Sequence, residues 1–281
     1  MSRNKKRLKG HKPDNIEATT TTPLSPLSFV APTEFVELPS GGEGYPDTHS
    51  LHGEETIEIR YMTAKDEDIL TSQTLLKKGI AIDRLLESII LDKTINPTEL
   101  LIGDKNAIII AARASGYGSE YEGLVSCPAC ATKNKLAFDL SNPTLLKSRI
   151  HEDFNVTRSS SGTYSVKLPL SKYNVEVKFM TGADENYLAE HVRSRKRNKL
   201  PEDTLTAQFK RLILSVEGHK TREVIDAFAE NMPVVDSHHL RMINRLITPN
   251  IEIKETLVCN NCDHTEEVDV PFGADFFWPD Q

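Results

Sequence analysis

Four cysteines carry the clearest chemistry in this 281-residue sequence: Cys127, Cys130, Cys259 and Cys262. They form two CxxC pairs with 128 residues between them. A CxxC turn between two strands is a knuckle whose curl offers two thiolates to one ion. Zinc takes four ligands in a tetrahedron, at about 2.3 Å for sulfur. One knuckle supplies two, so two facing knuckles would complete a closed four-thiolate site holding one Zn2+. Such a site leaves no position for water and would be structural. A disulfide inside each CxxC would be strained and redox-active, and no thioredoxin-like βαβ pattern flanks either pair. An iron–sulfur cluster could use four thiolates, but the charged flanks and the hairpin pattern favour zinc. His264, just past the second pair, reads as a surface residue because four thiols already suffice.

No other constellation carries chemistry. There is no GxSxG, Walker A, HExxH or GxGxxG arrangement, so the sequence does not read as an enzyme or as a protein with a small-molecule substrate. His238 and His239 sit at an expected helix start. Asp83, Glu87 and Asp92 fall on an exposed helix face. The basic run Arg193, Arg195, Lys196, Arg197 and Lys199 reads as the solvated last turn of a helix, where cations suit the helix dipole.

Charge narrows the partners. The formal net charge is -7, from 34 basic and 41 acidic side chains. Six of the basic ones lie in residues 1–12 (Arg3, Lys5, Lys6, Arg7, Lys9, Lys12), leaving a body with 28 basic against 41 acidic. An acidic body argues against a dedicated nucleic-acid binder, the basic tail excepted. A zinc-ribbon nucleic-acid accessory protein is the rival reading. Apolar runs such as 107–112 fall far short of the roughly 20 residues of a membrane span. The basic N-terminus lacks the apolar stretch of a secretory signal.

The elements that must position the cysteines follow from periodicity. Residues 1–32, rich in Lys, Thr, Pro and Ser, predict a disordered tail. Residues 33–54 predict an extended arm. Residues 55–145 form a first unit: a strand at 56–62, a helix capped by Thr63 with Asp66 three positions on, running to Lys78 and stopping at Gly79, then a helix with Ile82, Leu85, Leu86, Ile89 and Ile90 on one face. A short helix led by Pro97 and one capped by Asp104 precede strands at 120–126 and 133–140. Connecting strands occupy 146–170. A second unit spans 171–281. There RYMTAKDEDIL (60–70) matches KFMTGADENYL (178–188) without gaps, and LVSCPAC (124–130) answers LVCNNC (257–262). Asp104 stands 23 residues before Cys127, and Asp236 stands 23 before Cys259. The expected fold is therefore α+β: two tandem related strand–helix units, each ending in a CxxC β-hairpin, joined at one four-cysteine zinc-ribbon-like site.

The stretches FVELPSGGEGYP (35–46), ETIEIRYMTAKDEDIL (55–70), LLKKGIAIDRLLESI (75–89) and GDKNAIIIAARASGYGSEY (103–121), with the first CPAC, closely resemble the T4-type bacteriophage baseplate protein family. The resemblance is strongest over residues 33–145, and the second unit fits more loosely. It implies a late virion or assembly protein of the baseplate hub of a contractile tail. It implies hub and tail proteins as partners, in the host cytoplasm during assembly and in the virion baseplate. Phe35, Leu38 and Tyr45 of the arm, and Trp278 near the C-terminus, are the candidate anchors for such partners. A strap over the protein's own core is the alternative use of the arm.

Overall fold

The computed structural model describes residues 30–149, 156–159, 162–271 and 276–277. Residues 1–29 of the tail expected over 1–32, and the candidate anchor Trp278, lie outside the described residues. All elements below belong to the unit spanning residues 31–281.

Strand β1 (Thr33–Glu37) pairs antiparallel with β2 (Thr56–Arg60). The arm therefore begins as a strand of the first sheet, and a turn-rich segment leads back to β2. The single helix expected over 63–78 is two: α1 (Ala64–Thr71) and α2 (Gln73–Lys78), broken at Ser72, whose backbone is extended. Gly79 ends α2 in the left-handed conformation that favours glycine. Helix α3 (Ala81–Ile89) buries Leu85, Leu86 and Ile89 on the predicted face. A 3-10 turn (Pro97–Glu99) leads into α4 (Ile102–Tyr117).

Strands β3 (Glu120–Ser126) and β4 (Lys133–Asp139) pair antiparallel, with Ser126 opposite Lys133. Short strand β5 (Thr144–Leu146) follows. Next come β6 (Val156–Arg158), β7 (Tyr164–Lys167) and β8 (Asn174–Val177). Helices α5 (Gly182–Arg197) and α6 (Thr204–Leu212) precede β9 (Ile213–Val216), which completes a sheet in the order β6-β7-β8-β9. The apolar stripe through Val216 predicts continued helix there. The chain instead turns to strand at Ile213, because β-branched residues fit the open edge beside β8.

The chain ends in α7 (Arg222–Asn231), α8 (Val234–Ile247), β10 (Asn250–Glu252), β11 (Lys254–Val258) and β12 (Thr265–Asp269). Strand β10 pairs with β5, and β11 with β12.

Register recurs along the chain. In β1–β2, Glu34 faces Ile59 and Val36 faces Ile57; in β7–β8, Tyr164 faces Val177 and Val166 faces Val175. In β3–β4, Glu122 faces Ala137; in β11–β12, Lys254 faces Asp269. The connection 127–132 in one pair and 259–264 in the other are of equal length.

One apolar core runs through these elements, with Leu38, Tyr45, Ile59, Leu85, Ile108, Phe138, Tyr164, Val175, Phe209 and Ile243 all buried. Among the described residues no helix is long and apolar enough to cross a membrane.

Two expected helix caps take another role. Asp104 and Asp236 lie inside the first turns of α4 and α8 and are fully buried. Each clamps the chain entering from a strand pair. Asp104 accepts from the Ser40 backbone N–H at 3.0 Å, the Ser40 hydroxyl at 2.7 Å and the Tyr45 hydroxyl at 2.8 Å. Asp236 accepts from the backbone N–H groups of Leu170 at 2.7 Å and Ser171 at 2.9 Å. Burial raises the pKa of Asp104 despite these bonds, whereas the two N–H donors outweigh burial at Asp236 and lower it.

Candidate metal centre

The four cysteines converge. Their Sγ atoms all lie within 4.8 Å of one another. Cys127 Sγ stands 3.7 Å from Cys262 Sγ, and Cys130 Sγ stands 3.6 Å from Cys259 Sγ. The edge of a regular tetrahedron with zinc–sulfur bonds of about 2.3 Å is roughly 3.8 Å, so these separations suit one shared ion. All four cysteines are free thiols.

The two turns are built alike. The N–H of Ala131 bonds the carbonyl of Cys127 at 2.8 Å, and that of Asp263 bonds Cys259 at 3.1 Å. The Cys127 and Cys259 N–H groups each bond the carbonyl five residues on, at Thr132 and His264, at 2.9 Å. Ala131 and Asp263 both take positive φ, 57° and 55°. That left-handed residue reverses the chain immediately after the second thiol of each pair and so aims both thiols to one side.

The thiols differ in acidity. Hydrogen bonding to Thr132 holds the Cys130 thiol down to about 5. The Asn261 N–H lowers Cys259. Cys262 is pushed up to about 12: the His264 N–H favours its thiolate, but the neighbouring thiols, Cys130 foremost, outweigh it. Four thiolates this close would repel one another, and a bound divalent cation would remove that repulsion. Cys127 and Cys259 are buried, Cys130 is half-buried and Cys262 is exposed. His264 points away, its Nε2 3.2 Å from Glu266 Oε2.

One residue at the site has no counterpart in the expected ligand set. Asn134 on β4 is buried, and it spans the two turns. Its Oδ1 accepts the Asn260 N–H at 3.0 Å, and its Nδ2 donates to the Thr132 carbonyl at 2.9 Å and points at Cys259 Sγ at 3.7 Å. The signal in the sequence is a polar residue where alternation demands an apolar one, since Asn134 shares a strand face with Leu136 and Phe138.

The candidate partner anchors separate. Phe35 is 70 % exposed. Leu38 and Tyr45 are buried, which removes them as anchors for another subunit. The Tyr45 hydroxyl bonds Asp104 and accepts the Leu101 N–H at 3.1 Å, so this part of the arm straps the protein's own core.

A second pair of constellations lies where the matching eleven-residue segments begin their helices. Asp66 accepts from the Thr63 N–H at 2.8 Å, both Arg60 guanidinium arms at 2.7 and 2.9 Å, and the Ser88 hydroxyl at 2.7 Å. Asp184 accepts from the Thr181 N–H at 3.1 Å and pairs with Lys178 and Arg211. Ser88 and Arg211 occupy equivalent places one residue before the ends of α3 and α6. Both carboxylates are fully buried, and the bonds outweigh burial and hold them below the ordinary range.

The family model of the T4 bacteriophage base plate protein matches residues 31–278. The chain therefore belongs to the T4 bacteriophage base plate protein family. No curated protein and no solved structure matches it.

Proposed function

We propose that this chain is a structural or assembly protein of the phage tail baseplate hub, acting by docking to other hub and tail proteins. Its site of action would be the host cytoplasm during assembly and the virion baseplate. The observation that carries the reading is the family match over residues 31–278. We assign the cysteine cluster one structural Zn2+ held by Cys127, Cys130, Cys259 and Cys262, supported by the sulfur separations and the all-thiol donor set. The ion would tie the first hairpin to the second, so its binding energy becomes folding energy.

The described part reads as two tandem copies of one unit, each extended backward to include a strand pair. The first copy runs from β1 to β4 and the second from β7 to β12. Shared registers, the equal CxxC turns and the twin buried aspartate networks support this reading.

The test is an affinity pull-down from infected cells with tagged full-length chain. Recovery of hub subunits, with the chain detected in purified virions, is the expected result for a permanent component. Recovery of hub subunits without the chain in virions assigns a transient assembly role. A chain that captures no tail protein refutes the baseplate reading.

A further inference from the structure

Helices α3, α4 and α5 meet around a cleft of about 270 Å³. Ile82 of α3, Ile109 of α4, Ala189 of α5 and the pair Phe276 and Phe277 give it apolar walls. Its charged part is the buried Lys105 ammonium, 2.9 Å from Asp83 and 3.1 Å from Glu185. The C-terminal segment reaches this cleft and is held there. Phe276 and Phe277 are each 2 % exposed. Buried Arg113 of α4 donates from Nε to the Phe276 carbonyl at 3.0 Å. Phe276 meets Tyr121 edge-on, and Phe277 meets Tyr117, with centroids 5.0 and 6.4 Å apart. Phe277 is thereby fixed in the cleft wall, and Trp278 is the next residue, its Cα about 3.8 Å along the chain.

The residues that follow suit the cleft by size, polarity and charge. A tryptophan buries roughly 150–250 Å² when it packs, and its buried N–H needs an acceptor. Asn106 and Glu185 bring side-chain oxygens to the cleft walls. Two residues after Trp278 comes the anionic Asp280. The rim at Gly79 is cationic. The Arg193 guanidinium lies against Gly79 and donates to the Lys78 carbonyl at 3.3 Å. Lys196 and Arg197 follow one turn along α5, and both are exposed, as is Lys78. Glu190 offsets Arg193 at 3.8 Å, and the remaining three cations leave the rim positive.

From the place where Phe277 leaves the chain, and from this match of lining to segment, we infer that Trp278 fills the cleft of its own chain. The indole would wedge α5 against α3 and α4 and close the Lys105 ion pairs off from water. Asp280 would then lie toward the positive rim at Lys78 and Arg193. On this inference Trp278 serves the chain's own fold and not a partner, as Leu38 and Tyr45 of the arm do.

Trp278 is the only tryptophan in the chain, so its fluorescence tests the inference directly. In the full chain as purified, the emission should be blue-shifted from that of free tryptophan. Quenching by acrylamide should be several-fold weaker than for the free amino acid, and dilution should change neither property. Ala189→Phe, which fills the cleft, and Ile82→Arg, which charges its wall, should each shift the emission to the red and open the indole to acrylamide. Far-ultraviolet circular dichroism should show both variants folded. Wild-type emission like that of free tryptophan, fully open to acrylamide, overturns the inference. So does shielded emission that neither folded variant alters, which would put the indole elsewhere. Shielding that is lost on dilution overturns it too, because the occupant would then be the tryptophan of a second copy.

Discussion

Asn134 on the first hairpin holds the backbone of the second, its Oδ1 3.0 Å from the Asn260 N–H while its Nδ2 points at Cys259 Sγ. A side chain that bonds a ligand's turn and faces its sulfur fixes where that ligand sits. Removing such a partner costs roughly 10–100-fold in metal affinity. Asn134→Ala should weaken zinc binding by about that factor, read by competition with a chromogenic chelator, with all four cysteines still present. Unchanged affinity would show that the two turns meet without this side chain.

Metal removal gives the broader expectation. Protein purified under reducing conditions should contain about one zinc per chain, the capacity of four thiolates. Strong chelation, or Cys127→Ser, should lower the thermal midpoint, because zinc at an all-thiol site contributes to folding. Metal analysis that finds no zinc in reduced protein would sink the structural-zinc assignment.

Much of this arrangement is legible in the sequence where the period is local. The face of α3 follows from Ile82, Leu85, Leu86 and Ile89, and the hairpin of β3 and β4 from alternation around the first CxxC. Tertiary contacts decide the rest. Asp104 and Asp236 satisfy the rule for a helix cap, yet each points back to a loop from a preceding strand pair. Nothing local distinguishes a cap from a clamp with a partner 64 residues away. Ile213–Val216 continues a helical stripe by spacing, and the exposed edge of β8 converts it to strand. Leu38 and Tyr45 look like free anchors in a Gly/Pro-rich arm, and only the fold shows both buried, with Asp104 bonded to the Tyr45 hydroxyl.

Tyr45 tests that strap. Its hydroxyl gives a bond to buried Asp104 and receives one from the Leu101 N–H. Tyr45→Phe keeps the ring and leaves both groups short of a partner. An unsatisfied buried polar group costs about 1–3 kcal/mol, so denaturant unfolding should show a loss in that range. A neutral result would mean that water replaces the hydroxyl.

Asp184 and Asp66 set the acid limit of the fold. Burial raises both, but Lys178, Arg211 and the Thr181 N–H at one, and Arg60, Ser88 and Thr63 at the other, bring both below the ordinary aspartate value of 3.8. A depressed folded pKa contributes stability above the unfolded value and loses it as pH falls through the folded value. Asp104, whose pKa is raised, acts oppositely: its contribution is present at acid pH and is lost as pH rises through the folded value. Two strongly bonded carboxylates should outweigh it, so stability should fall below about pH 4. Asp184→Asn removes one of them and leaves Lys178 and Arg211 without their counter-charge. It should cost roughly 3 kcal/mol at neutral pH, the low end for breaking a buried pair. Its deficit against the wild type should shrink as pH falls. On the zinc assignment proposed above, loss of the ion on acidification would affect both proteins alike, so the difference between their melting curves at each pH isolates the aspartate. Parallel curves from neutral to acid pH would mean that Asp184 carries no proton-linked stability.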